Sequence, residues 1–130
     1  MPSPSTTSIT IADAPSIARD YMELWTTTNP TLRSSLATKL LSEHTTQFAA
    51  EDNLVFHGAE AIEATITKVN TENIQQAGFD FVFDSAVANQ NSVQIEWTIL
   101  NGEGARVGAG RDFLLMAADG TIDSFYMFKR

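Results

Sequence analysis

The chain contains no cysteine in its 130 residues, which excludes disulfides, thiolate metal ligands and a cysteine nucleophile while leaving the redox compartment open. Histidine is scarce as well. With His44 and His57 alone, a metal centre built on imidazole lacks ligands, and neither a metal nor a cofactor is expected. Positive charge is also short: eight Lys and Arg stand against sixteen Asp and Glu, a net charge of −8. Such a surface repels phosphate backbones and anionic lipid, so nucleic-acid and membrane partners are not expected. No apolar run approaches a membrane span, and the opening "MPSPSTTS" has neither the charged nor the apolar segment of a secretory signal. Residues 1–10 are therefore expected to be a flexible tail and residues 11–130 a single domain of a cytoplasmic protein.

What the sequence does have is core-forming material, at 43% apolar against 18% charged residues, too apolar for disorder. "ADAPSIARDYMELWTTTNP" sets Ile17, Tyr21, Leu24 and Trp25 at helical spacing behind Asp13, an expected N-cap, and is expected to stop at Asn29-Pro30. A second helix is predicted in "TLRSSLATKLLSEH", with Leu32, Leu36, Leu40 and Leu41 as its apolar stripe. Two short extended pieces, "TTQFA" and "LVFHG", lead into a third helix with Ile62, Ile66, Val69 and Ile74 on its inner side.

Beyond Gly78 the period falls to two. Four strands are predicted, "FDFVFDSAVA", "VQIEWTIL", "RVGAGRDFLLMA" and "TIDSFYMFKR", with Asn-Gly and Asp-Gly among the turns that join them. Helices followed by an antiparallel meander give an α+β class. The expected shape is a cone-shaped barrel in which a curved antiparallel sheet wraps three N-terminal helices around a cavity, with a flat two-layer sandwich as the other solution.

One carboxylate stands out, because Asp112 sits inside the apolar run "GAGRDFLLMA", and a buried carboxylate without a partner is costly. Strand alternation puts Asp112 inward with Gly110, Leu114 and Met116, and Arg111 outward with Phe113 and Leu115. The outward residues would expose apolar area, which suggests a homodimer through that face. In "VQIEWTIL" the same alternation turns Trp97 inward and Glu96 outward unless a bulge reverses the register.

The set "Y…W…NP" in the first helix, "FHGAEAI" opening the third, and "G(R)D…DGTI…F" in the last hairpin resembles the nuclear transport factor 2-like superfamily, with its SnoaL-like polyketide cyclases and ketosteroid isomerases. The resemblance spans nearly the whole chain. It implies that Tyr21 occupies the place of an oxyanion-hole tyrosine and Asp112 that of an aspartic acid kept protonated by an apolar site. The position of the proton-shuttling carboxylate falls on Ala49, with Glu51 and Asp52 close behind. The histidine of SnoaL-type cyclases has no match in "VQIEWTIL", and the acid pair of limonene-epoxide-hydrolase-like sites is missing from the last strand.

The candidate catalytic residues are thus Asp112, Tyr21, His57, Glu51 and Asp52, and the expected pocket lining is Trp25, Trp97, Leu114, Met116, Phe125 and Met127. Each has a plainer reading. Asp112 could pair with Arg111 or Arg106 or accept backbone hydrogen bonds at a bend, Tyr21 and Trp25 could be core, His57 could serve the turn before Gly58, and Glu51 and Asp52 could be a solvated turn. The resemblance implies a small cofactor-independent isomerase, cyclase or dehydratase acting on an apolar, carbonyl-containing metabolite of polyketide or terpenoid type. A non-catalytic ligand-binding or protein-interaction module is the other reading of the same fold.

Overall fold

A computed structural model describes residues 13–130; the expected tail lies outside the described residues. Helix α1 (Asp13–Thr26) begins its described part at Asp13 itself, the residue expected to cap it, and closes at Thr26, short of the expected stop. Asn29-Pro30 instead starts the next helix. Asn29 is extended and its side chain accepts from the amides of Thr31 and Leu32, with proline in the first helical turn where no amide is needed. The buried face of α2 (Pro30–Leu40) is Arg33, Leu36, Ala37 and Leu40, a spacing of three and four, so Leu32, one position off, faces solvent. Arg33 earns its burial by donating to the Thr27 carbonyl at 2.7 Å, which ties α2 to the loop before it.

Strands β1 (Thr46–Phe48) and β2 (Val55–His57) precede α3 (Ala59–Val69). Ile62 and Ile66 of α3 are buried, while Val69 and Ile74 are half-buried, because the chain continues through Asn70–Gln76 as a π-helix. Asn70 explains the wider turn: its amide, fully buried, donates to the carbonyls of Trp25 and Thr27, both at 2.9 Å, and accepts from Gln75. The third helix is thereby fastened to the end of the first.

Strands β3 (Asp80–Asn89), β4 (Ser92–Leu100), β5 (Arg106–Met116) and β6 (Ile122–Lys129) form the expected meander. The six-stranded sheet runs β2-β1-β6-β5-β4-β3. It is mixed, since β1 pairs parallel to β6 while all other neighbours are antiparallel. The ends β2 and β3 do not pair, so the curved sheet stays open around the helices.

Register orders the inner face into rows. Deepest are Gln47, Phe125, Leu114, Val93 and Ala88; next come Met127, Asp112, Ile95 and Ala86; then Gly110 beside Trp97. The bulges between Phe83 and Ser85 and between Ile99 and Leu100 put their extra residues, Asp84 and Val107, on β3 and β5, so β4 keeps its alternation with Trp97 inward and Glu96 outward, where Glu96 pairs with Arg111 at 3.1 Å. The outer face carries Phe113 beside Tyr126, which stacks on Phe48 at 4.4 Å between ring centres.

Gly110 decides how Trp97 lies. A Cβ on Gly110 would come within 2.1 Å of the indole, so the ring rests on bare backbone of the neighbouring strand. The substitution Gly110→Ala is expected to push Trp97 aside and destabilise the fold by about 1–3 kcal/mol. Urea unfolding followed by tryptophan fluorescence checks this, and an unchanged midpoint with an unchanged spectrum would contradict it.

Candidate functional site

Between the helices and the open side of the sheet lies a cavity of about 800 Å³, within the range of small-molecule sites. Aromatic and aliphatic side chains dominate its wall, among them Trp25, Phe56, Phe81, Trp97, Ile99 and Met127, and Asp112 and Tyr21 sit in it as well. Helix α1 supplies Tyr21 and Trp25 from one face, a turn apart, with ring centres 6.3 Å apart. Strand β5 supplies Asp112 from the opposite wall.

The Tyr21 hydroxyl donates to Asp112 Oδ2 at 2.5 Å, joining residues 91 apart in sequence. Both residues are buried, Tyr21 at 1% and Asp112 at 2% exposure. Burial dominates their titration. Desolvation pushes the Asp112 carboxyl from its ordinary 3.8 up to about 6, against the opposing pull of the Tyr21 hydroxyl and the nearby Trp97 indole, which favour the charged form. The Tyr21 phenol is held well above its ordinary value by burial first and by the Asp112 charge second, so it remains a donor.

Three polar atoms in this wall are buried without a hydrogen-bond partner among the described residues: Asp112 Oδ1, Trp25 Nε1 and Gln47 Oε1. Each is an exception to the rule that buried polar groups are satisfied. The Trp25 N–H lies close enough to the Tyr21 oxygen to oppose the rise in its pKa, yet closes no hydrogen bond of its own. The carboxylate thus has one oxygen fixed and one free, with an uncommitted donor on the facing helix.

The structure brings Asp112, Tyr21, Trp25, Trp97 and Met127 to the cavity and Glu51 to its rim, and places the other expected residues elsewhere. Leu114, Met116 and Phe125 are packed in the hydrophobic core. Phe125 and Leu114 lie a row deeper than Asp112, and the Tyr21 ring meets Phe125 edge-on at 5.9 Å, which closes the sheet from the cavity there. His57 is exposed at the end of β2, where its ring pairs with the Thr46 hydroxyl at 3.0 Å. Asp52 is exposed in a turn with φ of 57°. Glu51 reaches the cavity rim but is fully exposed and ion-paired with Lys129 at 2.5 Å, which holds its carboxyl below the usual range.

Gln47 went unmarked in the sequence because β1 is three residues long, too short for alternation to reveal a face. No cluster of three or more His, Cys, Asp or Glu side chains among the described residues could hold a metal, and none of the described helices is long and apolar enough to cross a membrane.

Solved structures share this architecture over nearly the whole chain. A candidate isomerase of the SnoaL-like family from Agrobacterium tumefaciens superposes with a TM-score of 0.79 at 21% identity, over 92% of this chain and 99% of that one. The chain shares the fold of this SnoaL-like structure. Other proteins with this SnoaL-like fold are a candidate polyketide cyclase from Sinorhizobium meliloti (TM-score 0.64, 12% identity, 92% of this chain and 99% of that one) and a candidate ketosteroid isomerase from Kribbella flavida (0.64, 15%, 91% and 80%). No family model matches the sequence, and no curated protein matches it either.

The raised pKa of Asp112 has a direct consequence for stability. The folded state keeps this proton to higher pH than the unfolded chain, so stability is retained below the ordinary value of 3.8 and lost as pH climbs through about 6. The loss amounts to about 3 kcal/mol. The Asp112→Asn variant has no such titration, so its stability relative to the unsubstituted protein is expected to improve by about that amount between pH 3.5 and pH 7.5. Thermal melts of both proteins across that range check it, and a gap that does not change with pH would contradict it.

Proposed function

We propose that the protein is a cofactor-independent catalyst of proton transfer on an apolar carbonyl compound, an isomerase, cyclase or dehydratase in which Asp112 is the acid–base group. The observation that carries this reading is the asymmetry of the Asp112 carboxyl, with Oδ2 held by Tyr21 and Oδ1 buried and unpaired in the wall of an apolar cavity. A carboxyl titrating at about 6 is largely ionised at neutral pH and is basic enough to take a proton from carbon next to a carbonyl.

In the proposed step the free Oδ1 accepts the α-proton, the C–H electron pair becomes the enolate, and the negative charge moves to the carbonyl oxygen. The Trp25 N–H is the uncommitted donor that stabilises this oxygen. Tyr21 stays on Oδ2 and favours the ionised base. Protonated Asp112 then returns the proton at another atom of the conjugated system, or to a departing hydroxyl, which regenerates the starting carboxylate. This single-carboxylate scheme accounts for Ala49 at the position where the family resemblance implied a separate base, because Asp112 does the shuttling itself.

Deuterium uptake at the α-carbon of 1-tetralone in heavy water, read by proton NMR, tests the scheme. The exchange rate is expected to rise through an apparent pKa near 6 and level off above it. Removing the hydrogen bond that favours the charged carboxylate, by Tyr21→Phe, is expected to move that midpoint upward, and Asp112→Asn to slow exchange at least ~100-fold. Ketone binding without exchange at any pH would contradict catalysis and leave a ligand-binding module.

A further inference from the structure

Among the described residues, Gln47 is the buried polar side chain of the cavity wall that the proton-transfer scheme does not use. It is 1% exposed, on the inner face of β1, one row deeper than Asp112 and two strands away, with β6 between them. Its Nε2 donates to the Met127 sulfur at 3.2 Å, a weak acceptor, and its Oε1 has no partner among the described residues. A leucine or methionine would fill the same volume without burying an unsatisfied carbonyl, so as a packing residue Gln47 is a poor solution. Met127 is the cross-strand neighbour of Asp112, so the amide and the carboxyl flank the same thioether.

We infer that Gln47 is a substrate-recognition residue, and that the ligand is a hydroxylated apolar ketone that donates a hydrogen bond to Gln47 Oε1 from the end remote from the carbonyl held at Asp112 and Trp25. The inference rests on the proton-transfer reading, which places the carbonyl. Among the described residues, the buried unpaired atoms of the wall are one donor, at Trp25, and acceptors at Asp112 and Gln47. A ligand that satisfies all three has an acceptor oxygen next to an acidic C–H and a separate O–H group. A bare hydrocarbon ketone leaves the Gln47 carbonyl unpaired, and sites built around a buried polar group discriminate against ligands that lack its partner.

The test compares 1-tetralone with 6-hydroxy-1-tetralone, whose hydroxyl lies across the ring system from its carbonyl, by isothermal titration calorimetry on the full chain and on Gln47→Met. The full chain is expected to bind the hydroxylated probe about tenfold more tightly than the parent. In Gln47→Met that preference is expected to vanish while affinity for 1-tetralone stays unchanged. Equal affinities of the full chain for the two probes, or a preference that survives the substitution, would overturn the role of Gln47 and leave the carbonyl site standing. If neither probe binds the full chain, the carbonyl site falls and this inference with it. Should Gln47→Met not fold, the two affinities of the full chain decide the matter alone.

Discussion

The hydrogen bond from the Tyr21 hydroxyl to Asp112 is the interaction on which the rest of the structure turns. It crosses the interior from α1 to β5 and fixes one carboxyl oxygen in a setting where burial has already raised the pKa. Alone, a carboxyl at this depth would be strongly opposed to ionisation; with the phenol on Oδ2, charge is tolerated near neutral pH. The same bond leaves Oδ1 without a partner, so the arrangement that limits the cost also creates a reactive atom. Stability is given up at the place where acid–base chemistry would need it.

The cavity around this pair is the product of row order on the sheet. Where α1 packs down, Phe125 meets the Tyr21 ring with Leu114 beside it on the next strand, and the space is closed. One row further along, Asp112 marks the inner wall, and beyond it Gly110 lets the Trp97 indole lie flat against the neighbouring strand. The Asn70 amide, clasping the end of α1, holds the third helix against this side and sets Val69 and Asn73 in the cavity wall. Depth, breadth and chemistry of the site therefore trace to a few positions on otherwise ordinary elements.

Much of this was legible in the sequence, for reasons that also explain what was not. Strand period and turn residues placed the four-stranded meander, and alternation alone gave the inward Asp112 and Trp97 and the outward Arg111 and Glu96. Alternation reports a face, though, and says nothing about how far along the sheet the helices reach, so Leu114, Met116 and Phe125 were expected at the cavity and lie in the core. Asn29-Pro30 was visible as a boundary, but a breaker reads equally as the end of one helix or the start of the next. The leucine spacing of α2 drew the stripe one residue from the face that buries Arg33, because a guanidinium that donates to the Thr27 carbonyl and the Thr67 hydroxyl can go where the hydropathy pattern would not put it. Gln47 and the Glu51–Lys129 pair depend on tertiary pairing, which a three-residue strand and an exposed turn do not announce.

The measurement that tests the central claim most directly is the titration of the Asp112 carboxyl carbon by NMR, with Asp112→Asn used to assign the signal. A midpoint near 6 is the predicted result, the signature of a buried carboxyl kept ionisable by the Tyr21 hydroxyl. A midpoint at or below the ordinary 3.8 would mean a solvated or fully paired carboxylate, and would contradict both the geometry of the pair and the chemistry drawn from it.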